Sequence, residues 1–219
     1  MKRSKRRRKG ALDNPISRLY LRRYVDLSSA IYMLANKCLT FLDPRDWNDR
    51  NDAYCLDRYR AKKHLKSVLA ICFTQGPERF HYWKAFAPGT GGVCVEFHRR
   101  ALLIRMQAYR RRAVRYIPLK SRNPQPPLDS LPFVKRVGFR DELEYRIVYE
   151  SSDNDVKTFD ECIPLATIHR LILSPQMSGQ LADAVKEVLR KIDGCGELGI
   201  AHSDLIDSVE WKGLADAAH

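Results

Sequence analysis

The sequence predicts an α+β fold: a bent, largely antiparallel sheet flanked by helices. Short strand-like and helix-like runs are mixed without a steady strand–helix rhythm, which argues against a doubly wound parallel sheet. No internal repeat is present. The chain has 219 residues, 44% of them hydrophobic, enough for one domain with a real core. Residues 16–219 are therefore expected to form a single α+β domain, preceded by a disordered basic arm over residues 1–15.

The elements follow in order. "RLYLRRYVD" reads as a first strand and "DLSSAIYMLANKC" as a short helix that Ser28 or Ser29 can cap. "CLTFLD" is a second strand, closed by Pro44, and "PRDWNDRNDAY" a polar loop around Trp47. "CLDRYRAKKHLKSVL" is a charged amphipathic helix and "LAICFT" a buried strand. "PERFHYWKAFA" is an aromatic helix, "PGTGG" a turn and "VCVEF" a strand. "HRRALLIRMQAYRRR" is expected to be one helix, with Leu102, Met106 and Tyr109 on one face and arginines on the other. "AVRYIPL" is a strand, and the four prolines of "KSRNPQPPLDSLP" impose a loop. After "DELEYRIVYE" and "IHRLILS", a helix in "PQMSGQLADAVKEVLRKI" carries Leu181, Ala184, Val185, Val188, Leu189 and Ile192 as an apolar stripe, with Ser174 at its N-cap. "LGIAHS" closes the fold as a strand.

Composition excludes several classes. No apolar run approaches ~18 residues, so no membrane span is expected. No apolar stretch follows the basic start, so a secretory leader is not expected and a cytoplasmic protein without a membrane partner is. The six cysteines are scattered, with no CxxC pair, and read as reduced thiols; the histidines have no metal-ligand spacing. The net charge is +13 and is unevenly placed. Residues 1–10 hold seven basic residues and residues 99–122 nine, neither stretch with an acid, so the rest of the chain is mildly acidic. Confined positive charge is the footprint of a polyanion partner, and Arg110, Arg111, Arg112 and Arg115 are the expected nucleic-acid contacts.

In "DELEYRIVYE", Glu142, Glu144 and Arg146 alternate, so a strand would place them on one face. Leu143, Tyr145, Ile147 and Tyr149 supply burial on the other. A charged end on an otherwise apolar strand points to a strand entering a cleft. In "RFHYWKAFA", a ring on the polar edge could stack on a nucleobase or a nicotinamide. "GTGG" lacks the Lys-Ser/Thr of a phosphate loop and reads as a turn.

The chain resembles the bacterial family called domain of unknown function 2971, over about residues 19–208. The likeness rests on "LRRYVDLSSAIYMLANKCLTFLDPRDWND", "CFT", "HYWKAFAPGTGGVCVEF", "ELEYR" and "IHRLILSP". Where that family has Phe-Asn-Asp-Pro-Phe, this chain has Trp47-Asn48-Asp49-Arg50-Asn51. More distantly, the motif order resembles the ADP-ribosyltransferase fold. There, a first-strand Arg or His and a mid-chain Tyr or Ser meet the dinucleotide, and a late strand supplies the catalytic Glu, in some members as Glu-x-Glu.

That resemblance implies NAD as substrate with no metal. It implies Arg22 or Arg23, Tyr82 and Arg146 at the dinucleotide, Glu144 at the nicotinamide ribose and Glu142 at the acceptor, with Arg146 also keeping both carboxylates ionised. Because adjacent strand residues point oppositely, only one of Arg22 and Arg23 is expected to face the cleft. The expected function is ADP-ribosyl transfer from NAD to a nucleic acid, RNA favoured, by a toxin or phage-defence effector with an antitoxin or defence-system partner. The alternatives are a non-catalytic nucleic-acid-binding module, or a nuclease holding Mg²⁺ on Asp49, Glu142 and Glu144.

Overall fold

The computed structural model describes residues 19–118 and 125–218. The basic arm at 1–15 lies outside the described residues, as do Lys120 and Arg122. The chain begins with β1 (Tyr20–Asp26), α1 (Leu27–Asn36) and β2 (Cys38–Leu42), then α2 (Arg50–Lys62) and β3 (Ser67–Thr74). Next come α3 (Phe80–Phe86), β4 (Gly92–His98), α4 (Arg99–Arg105), β5 (Arg110–Ala113), β6 (Arg115–Ile117) and β7 (Val134–Arg136). β8 (Glu144–Ser151), β9 (Thr158–Cys162), β10 (Ile168–Leu173), α5 (Gly179–Arg190), β11 (Gly199–His202) and α6 (Val209–Asp216) complete it. None of the described helices is long and apolar enough to cross a membrane.

Nine strands form one sheet in the order β11-β10-β4-β1-β3-β2-β9, with β8 beside β3 and β5 beside β8. Only β10 and β11 pair in parallel within it, so the sheet is largely antiparallel as the sequence predicts. β6 and β7 form a separate two-stranded parallel ribbon.

One irregularity positions everything functional. β1 follows β4 through seven residue pairs, and β3 follows β8 through eight. Yet β1 meets β3 only at Arg22↔Thr74, and β2 meets β3 only at Leu42↔Ala70. The edge of β3 between those two bridges, centred on Cys72, therefore faces a gap in the sheet.

The two faces of the sheet are covered differently. On one, Leu69, Ile71, Phe73, Tyr145 and Ile147 pack with Ala30, Met33 and Leu34 of α1, Leu102 of α4 and Ala182, Val185 and Leu189 of α5. Burying such side chains stabilises by about 1.5–3 kcal/mol each. On the other face, Tyr82 and Trp83 of α3 cover one end with Tyr24, Cys94 and Ile172. Leu56 and Tyr59 of α2 cover the other end with Val68, Ala70 and Val148. Between α3 and α2 this face stays open.

Local chemistry moves several boundaries from their expected places. Asp26, not Ser28 or Ser29, caps α1 by accepting from the Ser29 N–H at 2.7 Å. Asp49 caps α2, so the supposed polar loop ends in helix. Ser178, not Ser174, caps α5; Ser174 is buried and donates to the Gly89 carbonyl at 2.8 Å. α5 buries a narrower stripe than expected, leaving Leu181 and Val188 exposed. The basic helix stops at Arg105, because Arg111 donates to the carbonyls of Met106, Gln107 and Tyr109 at the end of that turn. The arginines beyond it continue as β5 along β8. All six cysteines are free thiols.

At the entry to β4, a Cβ on Gly92 would lie 2.4 Å from the Ala87 carbonyl oxygen, whereas one on Gly91 meets nothing within 4 Å. Gly92→Ala is expected to destabilise by about 1–3 kcal/mol through overpacking against backbone. Gly91→Ala is expected to melt like the parent. Equal melting of the two variants would contradict this packing.

Candidate active-site cleft

The open face holds a cleft of about 640 Å³, lined by β1, β3, β8, α2, α3 and the segment around β7. That volume lies within the roughly 300–1,000 Å³ typical of small-molecule sites.

Its floor is built by register. Ala70, Cys72 and Thr74 of β3 oppose Val148, Arg146 and Glu144 of β8, and each opposed pair shares a face. This face is the one away from the main core, so charged residues border the cleft while Tyr145 and Ile147 are buried behind them.

Arg146 has no solvent exposure. Its Nε donates to Glu144 at 2.7 Å, its two terminal nitrogens grip both oxygens of Asp52 at 3.0 and 2.6 Å, and one also donates to the Pro132 carbonyl at 2.9 Å. Trp47 lies against the guanidinium, 5.0 Å from ring centroid to carbon. The expectation that Arg146 contacts a cofactor is thus corrected. Its donors hold the wall of the cleft together, because a buried charge is stable only when fully paired.

Glu142 and Glu144 do reach one place, though not along one strand. β8 begins at Glu144, and Glu142 ends a 3₁₀ turn, Val137–Glu142. Leu143 between them is left-handed (φ 48°), which breaks the strand alternation. What unites the two carboxylates is Lys135 of β7. Its ammonium lies 2.6 Å from Glu142, 3.5 Å from Glu144, 3.7 Å from Asp52 and 4.0 Å from Asp49. A side-chain cation therefore already sits among the carboxylates that the nuclease alternative assigned to Mg²⁺.

The two glutamates titrate oppositely. Burial pushes the Glu144 carboxyl up, but Arg146, Lys135 and a bond from the Cys72 thiol outweigh it and hold the pKa at about 2. Burial raises Glu142 above the ordinary value, and Lys135 offsets this only in part. Arg146 thus keeps Glu144 ionised as expected but does not do so for Glu142. Burial also pushes the Cys72 thiol well up, leaving it a neutral donor. Tyr116 of β6 accepts the Glu144 N–H at 2.8 Å.

Across the gap, both first-strand arginines border the cleft, where only one was expected, because the gap exposes the edge of β1 and not just one face. They differ in commitment. Arg22 is buried, with Nε on Glu96 at 2.5 Å and a terminal nitrogen on the Gly76 carbonyl at 2.6 Å. Arg170 holds the other Glu96 oxygen at 2.5 Å. Arg23 donates to the Cys72 carbonyl at 3.2 Å and forms no ion pair among the described residues. Burial lowers its pKa from the ordinary guanidinium value.

Two further expectations are corrected. Tyr82 does not line the cleft: it is fully buried, and its hydroxyl donates to the Asp141 carbonyl at 2.5 Å. Facing inward on α3, it leaves Ala85 and half-exposed Phe86 at the cleft wall. Arg110 and Arg111 are not free for phosphates. Arg110 pairs with Glu150 at 2.6 Å and lies over the rings of Tyr59 and Phe133, while Arg111 serves backbone carbonyls. Arg112 and Arg115 remain exposed, Arg112 over Phe133 and Arg115 opposite Val134 on the ribbon.

No family model matches the chain, and no curated protein does. The resemblance to the domain of unknown function 2971 family therefore stands on its quoted motifs alone. Among solved structures, the chain superposes on Thermus sp. 2.9 DarT in complex with ADP-ribosylated ssDNA. The TM-score is 0.45 and the identity 11%, over 84% of this chain and 94% of that one.

Glu144 gives the cleft a pH signature. Its folded pKa, about 2, lies below the ordinary glutamate value of 4.5. The stability it contributes is fully present above about pH 4.5 and is lost as the pH falls toward 2. Acid melting of Glu144→Gln should accordingly be flatter across that window than the parent's, from a lower starting stability at pH 7. A parallel acid limb in the two proteins would show that Glu144 is not held ionised by Arg146.

Proposed function

We propose that the protein is a glycosyl transferase of the ADP-ribosyl type, taking NAD as substrate and a nucleic acid as acceptor. The observation that carries this reading is the polarity of the cleft. One side gathers Glu142, Glu144, Asp49 and Asp52, four carboxylates whose charge Lys135 and Arg146 offset only in part; across the gap in the sheet, β1 offers Arg23, a desolvated guanidinium without a carboxylate partner among the described residues. A ligand suited to both ends is cationic at one and anionic at the other. NAD carries a nicotinamidium ring and a pyrophosphate in that relation. Phe86, Trp47 and Phe139 add aromatic walls for its rings. The sequence supports the same reading through its first-strand arginines and its Glu-x-Glu.

In this reading Arg23 takes the pyrophosphate, with Arg22 as its anchored neighbour. Glu144, ionised and fixed by Arg146, faces the ribose as positive charge develops at C1′ in an oxocarbenium-like transition state. Glu142, nearer the solvent, faces the acceptor. The acceptor's phosphates follow Arg112 and Arg115 beside the ribbon. The proposed setting is a toxin or phage-defence effector acting on RNA, with DNA as the competing acceptor, and an antitoxin or defence-system protein as a possible partner.

Glu144→Gln should cut NAD hydrolysis and transfer alike by on the order of 10²-fold or more, since it removes an interaction made mainly in the transition state. Arg23→Gln should instead raise KM for NAD about 10–100-fold, the worth of one charged hydrogen bond. Both are read by nicotinamide release and acceptor labelling below the melting temperature. Wild-type release of no nicotinamide with any acceptor would sink the enzyme reading.

The acceptor track has its own signature. Neutralising Arg112 and Arg115 should flatten the slope of log affinity against log salt for RNA or DNA binding by about one unit per lost phosphate contact. Arg110→Gln should lower the melting temperature and leave that slope alone. The reverse pattern would return the interface to Arg110.

A further inference from the structure

Lys135 has no role in the reading above, yet it makes the closest contact to Glu142. We propose that Lys135 is a positioning residue that holds the Glu142 carboxylate as the base for the acceptor, so that two cations divide two glutamates between two tasks. This rests on the glycosyl-transfer reading. Arg146 holds Glu144 for the ribose, and Lys135 holds Glu142 for the incoming nucleophile.

The placement is specific. Lys135 and Tyr116 are directly opposed on the β6–β7 ribbon. Tyr116 accepts the Glu144 N–H, while Lys135 reaches Glu142, so the ribbon fixes both glutamates from outside the main sheet. The Lys135 ammonium is packed against Phe139, 4.8 Å from the ring centroid, and is nearly buried. It bonds Glu142 through Oε2 alone; Oε1 has no hydrogen-bond partner among the described residues. One oxygen is thus anchored and the other is available to a proton.

The step balances. The acceptor's nucleophilic atom forms a bond to C1′ as the C1′–nicotinamide bond breaks. Nicotinamide leaves with the bonding pair as a neutral molecule, and the acceptor's proton passes to Glu142 and then to water. An acid cannot accept that proton, so Glu142 must be ionised beforehand. Its surroundings oppose this: Asp49 at the cap of α2, Asp52 of α2 and Glu144 of β8 are like charges, and Tyr116 of β6 and Tyr82 of α3 are neutral phenols. Arg146 is engaged by Glu144 and Asp52. Among the described residues, Lys135 is the cation in direct contact. A lysine suits the position because its ammonium is a compact point charge that four carboxylates can share.

The test uses ¹³C-glutamate-labelled full-length protein. The Glu142 carboxyl resonance is assigned by its loss in Glu142→Gln and titrated in the parent, Lys135→Met and Lys135→Arg. Transfer and NAD hydrolysis are followed over the same pH range. In Lys135→Met the Glu142 midpoint should rise by about one pH unit or more. The acid limb of transfer should rise with it, further than the limb of hydrolysis, which Glu144 governs. Lys135→Arg should restore both, and Lys135→Gln serves if the Met variant does not fold. An unmoved Glu142 midpoint, or a midpoint that moves without the transfer limb, overturns the proposal. A parent protein that consumes no NAD overturns the glycosyl-transfer reading itself, and the titration separates that failure from this one.

Discussion

A single buried guanidinium sets the conditions for everything around it. Arg146 sits on a central strand with no exposure, so leaving its charge without partners would cost about 3–5 kcal/mol. The acceptors come from three places in the chain: Glu144 beside it on β8, Asp52 in the first turn of α2, and the carbonyl of Pro132 just before β7. Satisfying one arginine therefore docks α2 and the stretch leading into the ribbon against the sheet. It also fixes one glutamate in an ionised state at the cleft wall. Replacing such a network by apolar residues often preserves stability, so the charges are better understood as serving the cleft than as serving the core.

The sheet was readable because its core strands carry dense apolar runs. "LAICFT" and "VCVEF" are buried on both faces and admit little else. β9 left no such trace. It is an edge strand whose sequence, Thr-Phe-Asp-Glu-Cys, packs mainly through Phe159, so its existence depends on β2 and not on its own pattern. The basic helix was overextended for the converse reason. Leu102, Met106 and Tyr109 keep helical spacing and two of them are fully buried, but the chain turns back before Tyr109, whose ring packs on Phe41.

The cleft was legible in its parts and not in its assembly. Alternation correctly put Glu144 and Arg146 on one face, opposite the buried Tyr145 and Ile147. It misplaced Glu142 because nothing about a leucine announces a left-handed backbone at Leu143. Tyr82 was misread because a helix ring can face either the cleft or the core, and only tertiary packing decides. Lys135 was missed altogether. The one local signal is the Lys135-Arg136 pair inside "LPFVKRVGF", where charge in an apolar stretch asks for partners, but those of Lys135 lie on α2 and β8 and in the turn between β7 and β8.

The seam between β1 and β3 has a mechanical consequence. The ladders on either side are continuous, while the junction is one backbone bridge reinforced by two side-chain pins, Arg22 on the Gly76 carbonyl and Arg23 on the Cys72 carbonyl. The jaws of the cleft are therefore stiff and their hinge is slender. In the proposed reading, a phosphate on Arg23 would compete with the Cys72 carbonyl for one guanidinium, so ligand binding and the tie across the seam would draw on the same donor.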